Sequence, residues 1–345
     1  MATFPRGPEE LTTDWLSSVT GTDVGGFRLS PLGEGVGVIG WVNRVLLDTA
    51  DGPDSLIVKF AARAAENRAV ATTYDMYGRE VRFYRDVADR IPVRTPACLA
   101  AEHDPDSDDF VLALEDLRDC RMGDQLAGAS LADAERVVKM LAELHAATWR
   151  RSLPGVTSHD FPAQSQGMRD GFHVGWPAVL ERFPDLMTEE ARTLAPRLGD
   201  RIPSLIRRLT DGDQCLVHAD VRLDNVLFDG DQPVLVDWQS VCLSSGEQDL
   251  AYFLTQSLAD DVWAAHADAL VRLYHQALLE NGVDDYGLEC CRERFRIASL
   301  YLLSWAVVIA GTLDMGNERG RAVAQALLAR SLRAASDLDA LSLLA

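Results

Sequence analysis

His218-Ala219-Asp220-Val221-Arg222-Leu223-Asp224-Asn225, followed twelve residues after the Asn by Asp237-Trp238-Gln239, is the stretch on which the reading of this chain turns. It sets an Asp, an Asn and a second Asp at spacings that suit phosphoryl transfer from Mg-ATP. The first carboxylate can take the proton of an attacking hydroxyl, and the Asn and the second Asp can hold Mg²⁺ against the phosphates. Apolar runs frame both ends, Cys215-Leu216-Val217 before and Val226-Leu227-Phe228 and Val234-Leu235-Val236 after. Between the last two, Asp229-Gly230-Asp231-Gln232-Pro233 has turn composition. A hairpin is therefore expected to return Asp237 beside Asp220. A string this short also arises by chance, and Asp and Asn are common capping residues, so the rest of the chain has to agree with it.

Composition sets the frame. With 345 residues, 47% hydrophobic and 25% charged, the chain is globular, of one large or two medium domains. A net charge of -20 argues against nucleic acid as partner, because a polyanion needs clustered Lys and Arg. That charge suits a cationic substrate, or simply solubility. The six cysteines include no C-x-x-C pair, which fits neither a zinc site nor a disulfide scaffold. Met1-Ala2-Thr3-Phe4-Pro5-Arg6 has no apolar signal core. Ile297 to Leu313 is an uncharged run of 17 residues, short of the usual membrane span of about 20, and reads as a buried core helix. The expectation is a cytoplasmic protein with no membrane, nucleic-acid or obligate protein partner.

Residues 1–115 read as a small strand-rich lobe and 116–345 as a larger, mainly helical one, an α+β arrangement. Trp41–Leu47 and Ser55–Phe60 read as strands around the turn Thr49–Asp54. A single helix is expected from about Arg68 to Arg90, where Tyr77, Val81, Tyr84 and Ala88 recur at helical spacing. Leu99–Glu102 and Phe110–Leu114 bracket an acidic turn as a second hairpin, and Ser130-Leu131-Ala132-Asp133 has the form of a capping box.

Further features stand in the order a phosphotransferase needs. Gly33, Gly35, Gly37 and Gly40 lie between two strands, as a flap whose backbone N–H groups approach phosphates or as a plain flexible turn. Lys59 ends a buried-type strand and needs an anionic partner, with Glu80 expected and Glu66 its rival. Leu114-Glu115-Asp116-Leu117 closes the last strand of the first lobe, where backbone groups of Glu115 and Leu117 would meet the adenine.

In these motifs the chain resembles the aminoglycoside phosphotransferase and choline kinase superfamily, nearest in texture to its ecdysteroid kinase-like branch. The residues that carry the resemblance are Leu216–Asp220 with Arg222–Asn225, Val236–Gln239, Asp249–Phe253, Leu141–His145 and Leu114–Leu117, within a span of about residues 25–310. The resemblance implies a protein-kinase-like two-lobe fold and transfer of the γ-phosphate of Mg-ATP, or of GTP, to a small-molecule hydroxyl. It makes Asp220 the base or hydroxyl-orienting residue, Asn225 and Asp237 the Mg²⁺ ligands, Lys59 a phosphate contact oriented by Glu80, and Gly35 and Gly37 part of the nucleotide flap. Asp249 becomes a support behind the catalytic loop, His218 a hydrogen-bonding scaffold and His145 helix packing. Relatives usually carry Gly at position 219, where this chain has Ala, which costs roughly 1 kcal/mol if φ there is positive. They also carry an acid where Gln239 stands, so a second metal contact is in doubt.

The acceptor stays open among an aminoglycoside-like cation, a hydroxyacyl-CoA and a sterol-like alcohol. Asp260, Asp261, Trp263, Tyr301, Trp305 and Asp314 are the candidates to line its pocket. Two other classes are a nucleotide-binding pseudokinase scaffold, disfavoured because Lys59, Asp220, Asn225 and Asp237 are all present, and a protein kinase. The latter is disfavoured because only nine residues separate Gln239 from Asp249, with no A-P-E-like segment.

Overall fold

The computed structural model describes residues 4–32, 39–312 and 318–344. The chain opens with helix α1 (Thr13–Thr20) and two antiparallel strands, β1 (Val24–Leu32) and β2 (Gly40–Thr49). Strand β3 (Ser55–Ala61) pairs with β2, and after two helices β4 (Cys98–Asp104) and β5 (Asp109–Glu115) complete a five-stranded antiparallel sheet in the order β1-β2-β3-β5-β4. The two-residue period of β3 decides what each of its faces does. Leu56, Val58 and Phe60 enter a core with Leu11, Leu16, Val45 and Val111. Ile57 and Lys59 point the other way, into the cleft below the sheet.

Where one helix is expected from about Arg68, there are two, α2 (Ala65–Thr73) and α3 (Met76–Asp86). The break falls at Asp75, held at φ 52, a left-handed conformation that Asp tolerates better than most residues. It lets α3 turn its Tyr77, Val81, Phe83 and Tyr84 face onto the sheet and the chain beyond it. The Tyr77 hydroxyl accepts from Ala62 N at 2.9 Å and donates to the Ile39 carbonyl at 2.7 Å, fastening the end of the β1–β2 connection to β3. Gly33, Gly35 and Gly37 lie outside the described residues.

After Glu115 the chain is mainly helical. A short strand, β6 (Arg121–Met122), precedes α4 (Leu131–Ala147), whose N-cap Ser130 accepts from Asp133 N at 3.2 Å. Helices α5 (Pro162–Arg182), α6 (Glu189–Leu194) and α7 (Leu198–Thr210) follow. Then come the short strands β7 (Cys215–Val217), β8 (Val226–Asp229), β9 (Gln232–Leu235) and β10 (Cys242–Ser244). Strands β8 and β9 form the expected hairpin, with Gly230 at φ 59 in its turn. Helices α8 (Glu247–Ser257), α9 (Asp260–Glu280), α10 (Leu288–Thr312) and α11 (Glu318–Asp337) close the fold. Helix α10 contains the apolar run as far as Thr312. Its most apolar window, of mean hydropathy 1.5, is 72% buried, packed against α5, α7, α8 and α11. The cysteines are free thiols, with Cys215, Cys242 and Cys291 buried.

Candidate functional site

Five side chains singled out in the sequence converge below the sheet. Lys59 Nζ lies 2.6 and 2.8 Å from the two Glu80 oxygens and 2.8 Å from Asp237 Oδ1. Glu66 is exposed and has no part in this contact. Burial works against the Lys59 charge, yet Asp237 and Glu80 together more than offset it and hold its pKa well above the ordinary value. Burial would likewise raise Asp237, but the Lys59 ammonium outweighs it and keeps that carboxyl below its usual value. Trp238 fixes the distance between the partners from the other side. Its ring stacks on Phe83 of α3 at 3.9 Å, so the helix that carries Glu80 rests on the residue next to Asp237.

Asp220 and Asn225 form the facing pair. Asn225 Nδ2 donates to both the Asp220 carbonyl and Asp220 Oδ2, each at 3.0 Å. The oxygen donors are then the Asn225 side-chain oxygen and the remaining lone pairs of Asp237, whose Oδ1 accepts from Lys59 and whose Oδ2 accepts from Gln239 Nε2 at 3.3 Å. Burial pushes the Asp220 carboxyl above its ordinary value, in the direction that favours a proton acceptor. His218 ties the two strands together, accepting from Asp220 N at Nδ1 (3.2 Å) and donating from Nε2 to the Val236 carbonyl (3.0 Å), which assigns it the neutral Nε2–H tautomer.

The loop geometry depends on Asp249. This fully buried carboxylate accepts from His218 N at 2.7 Å and from Ala219 N at 2.8 Å, and its Oδ2 lies 3.4 Å from His145 Nε2. His145 therefore does more than pack. Its Nδ1 meets the Tyr274 hydroxyl at 2.8 Å, which fixes the ring that fixes Asp249. Gly246 makes room for this relay, since a Cβ there would stand 2.3 Å from the Tyr274 hydroxyl. Ala219 sits at φ 63, so the Ala at this position is strained. Ala219→Gly is expected to raise stability by about 1 kcal/mol, net of the greater freedom glycine gives the unfolded chain. Urea denaturation of the two proteins checks it, and an unchanged or lower midpoint would refute the strain.

A sequence profile of the ecdysteroid kinase-like family matches residues 44–284, which hold every residue of this cluster. The chain belongs to the ecdysteroid kinase-like family. Three solved structures share the fold. Choline kinase from Cryptosporidium parvum has a TM-score of 0.57 at 10% identity, over 91% of this chain and 90% of that one. A putative aminoglycoside phosphotransferase from Ralstonia eutropha gives 0.54 at 14% identity, over 94% and 97%. The gentamicin complex of APH(2")-IIa gives 0.51 at 14%, over 96% and 99%. No curated protein matches the sequence. The kinase-like fold expected from the motifs is thus the one the chain adopts.

In this ecdysteroid kinase-like chain Lys59 and Asp237 line a cavity of about 740 Å³. One wall is apolar, from Val42, Ile57, Leu114, Leu227 and Val236, beside the segment Glu115–Leu117. The Glu115 N–H is already committed to the Ala97 carbonyl at 2.8 Å, so Glu115 can offer a ligand only its carbonyl. Among the described residues the Leu117 N–H has no backbone partner. The Glu115 carboxylate is spent on Arg94 (2.9 and 3.1 Å), and that of Asp116 on Arg44 (2.7 and 3.2 Å) and Ser55 (2.7 Å). These anchors hold the crossing between sheet and helices in place.

The opposite wall differs from the one expected. It comes from the end of α10 and the start of α11, with Ile309, Thr312, Val323, Ala324 and Leu327. Asp260, Asp261, Trp263, Tyr301 and Trp305 do not line this cavity. Asp260 pairs with Arg333, and Trp263 Nε1 donates to Asp337 Oδ2 at 2.8 Å, because the start of α9 packs on α11. Asp314 lies outside the described residues. Tyr301 is fully buried, its hydroxyl bonded to His159 Nε2 (2.8 Å), Trp305 Nε1 (3.0 Å) and Gln164 Nε2 (3.1 Å). A helical aromatic pattern in sequence does not distinguish a pocket wall from such a core.

His159 carries a pH signature. Burial first, then the neighbouring Arg79 charge, lowers its pKa to about 3. The folded value lies below the unfolded one of about 6.5, so the unfolded chain takes up the proton first and stability falls as pH drops through that window. Between about pH 7 and about pH 5 this group alone is expected to cost about 2 kcal/mol. Denaturation series of wild type and His159→Gln should diverge in that range, and parallel series would refute the assignment.

Sequence reasoning missed Gln125 and Arg330. Gln125 Oε1 accepts from Leu223 N at 2.7 Å inside the motif, and the Gln125 carbonyl accepts from Arg330 NH1 of α11 at 2.7 Å. Arg330 also bonds the Gln256 and Leu126 carbonyls, both at 3.0 Å. No local pattern marks these residues, since their partners lie far away in the chain.

Proposed function

We propose that the protein transfers the γ-phosphate of a purine nucleoside triphosphate, ATP or GTP, to a hydroxyl of a largely apolar small molecule. The observation that carries this is the pair of hydrogen-bonded sets, Lys59 with Glu80 and Asp237, and Asp220 with Asn225, of which Lys59 and Asp237 line a cavity that also holds an apolar cleft. In this reading the adenine lies between Ile57, Leu114 and Leu227, with the Glu115 carbonyl and Leu117 N–H as its polar contacts. Lys59, held by Glu80, meets the phosphates. Asp220 receives the acceptor proton. The division at residues 115 and 116 is then the hinge between a nucleotide-binding lobe and an acceptor-binding one.

The donor set fits Mg²⁺ that arrives with the nucleotide. Among the described residues no group of three or more His, Cys, Asp or Glu forms a resident metal site. Asn225 and Asp237 offer two oxygen donors, which suits an ion that draws its remaining ligands from phosphate and water. When bound, the ion neutralises phosphate charge, and Asp237 and Asn225 hold it.

The acceptor class follows from the second wall. Ile309, Val323, Ala324 and Leu327 are apolar, Arg319 is the charge beside them, and no carboxylate lines this wall among the described residues. Such a surface favours an apolar alcohol over a polycation. The test is mass spectrometry of Mg-ATP reactions with pooled hydroxysteroids, macrolides, hydroxyacyl-CoAs, nucleosides, amino alcohols and aminoglycosides. A phosphate gain in an apolar pool, absent with Asp220→Asn, is expected. Phosphorylation confined to the aminoglycosides would overturn the acceptor class. Absence of nucleotide binding would overturn the phosphotransferase reading.

A further inference from the structure

Arg222 lines the cleft within ion-pair distance of Asp220 but, among the described residues, with no hydrogen-bond partner for its guanidinium. It stands two residues after Asp220, in a turn closed by Arg222 N to the Asp220 carbonyl and Asn225 N to the Arg222 carbonyl, each at 2.9 Å. Its side chain is 29% exposed and lines the same cavity as Lys59 and Asp237. The nearest carboxylate oxygen, Asp220 Oδ1, is 3.6 Å from Nε, too far for a hydrogen bond, and that Nε is buried with no partner. Among the described residues no hydrogen bond leaves the guanidinium, although it has five N–H donors to place.

Three other cations of the cavity are held by hydrogen bonds. Lys59 is shared by Glu80 and Asp237, Arg44 is held by Asp116, and Arg118 by Asp54 at 3.1 Å. Arg319 lies at the half-exposed rim, 3.5 Å from Asp124. A half-buried guanidinium whose buried Nε has no hydrogen-bond partner is completed best by an anion that meets its donors. The surrounding acids Asp220, Asp224 and Asp237 hold it in place electrostatically without satisfying its donors. A planar fork of donors facing the cleft matches the oxygens of a phosphoryl group.

We propose that Arg222 binds the terminal phosphate of the nucleotide, from the catalytic-loop side and across from Lys59, and so separates triphosphate from diphosphate. The assignment rests on the phosphotransferase reading. In the transfer the acceptor oxygen bonds to the γ-phosphorus, and the bond to the β–γ bridging oxygen breaks with its electron pair left on the diphosphate. The acceptor proton passes to Asp220. Arg222 adds donors to the equatorial oxygens while charge is spread over them, and once the phosphoryl group has moved it has no equivalent contact with the diphosphate.

Titration calorimetry tests this without an acceptor, using the Mg²⁺ complexes of ADP and of the non-hydrolysable analogue AMP-PNP. Wild type, Arg222→Met and Arg222→Lys are compared, with thermal midpoints confirming that each is folded. The Met variant is expected to lose about 10- to 100-fold in affinity for the triphosphate analogue, the worth of one or two charge-assisted hydrogen bonds, with ADP affinity within about twofold. The Lys variant should recover part of the loss, a point charge replacing the fork. Equal losses for both nucleotides, or no loss for either, would overturn the assignment of Arg222 alone. Failure of the wild type to bind either nucleotide would overturn the phosphotransferase reading and this assignment with it.

Discussion

Asp220→Asn is expected to slow phosphoryl transfer by about 10³-fold while leaving the protein folded and able to bind nucleotide. The substitution keeps the shape of the side chain and removes its negative charge, and with it the capacity to take a proton and the ion pair with Arg222. Asn225 Nδ2 can still meet the amide oxygen, and the Asp220 carbonyl it also bonds is unchanged. Lys59, Glu80 and Asp237 have no direct hydrogen bond to the altered group. Transfer would be followed in single-turnover reactions with whichever acceptor the screen returns, alongside calorimetric nucleotide affinity. Full activity in this variant would remove Asp220 from the proposed chemistry. An equal loss of nucleotide binding would mean that the residue organises the cleft instead.

Asp249→Asn should have the larger effect on stability, about 3 to 5 kcal/mol, and should abolish transfer as a consequence. The carboxylate gives one oxygen to Ala219 N and the other to His218 N and His145, with no exposure to water. An amide must turn an N–H₂ toward one of those donors, leaving a buried backbone N–H unsatisfied and repelled. Asp220 is the next residue in the same loop, so its position goes with the lost contacts. Guanidinium denaturation would measure the cost. A loss below about 1 kcal/mol would show that water or a rearranged loop replaces the carboxylate.

The sequence reached far into this site, and its limits have physical causes. Asp220, Asn225 and Asp237 were legible because the motif packs an acid, an amide and a hairpin into one short stretch, where spacing alone constrains geometry. Lys59 was legible because a charge in a strand of Leu, Ile, Val and Phe requires an anion. Glu80 followed from its place on the next helix, although the break at Asp75 was not foreseen, since a single left-handed residue leaves no periodic trace. The second wall was misjudged for a related reason. Trp263, Tyr301 and Trp305 are as apolar as pocket residues should be, and only packing tells that Trp263 faces α11 and that Tyr301 is enclosed by His159, Gln164 and Trp305.

The sequence by itself determined the α+β architecture, the order of its elements and the chemical types gathered for the site, because strand and helix periods, turn residues and capping are local properties of the chain. Only the tertiary structure decided which groups are free. It commits Glu115 and Asp116 to arginines, fixes His145 and Asp249 behind the loop, joins Arg330 of α11 to the motif through Gln125, and leaves the Arg222 guanidinium without a hydrogen bond among the described residues. Those outcomes depend on contacts between residues tens to hundreds of positions apart, which close only when the whole chain is packed.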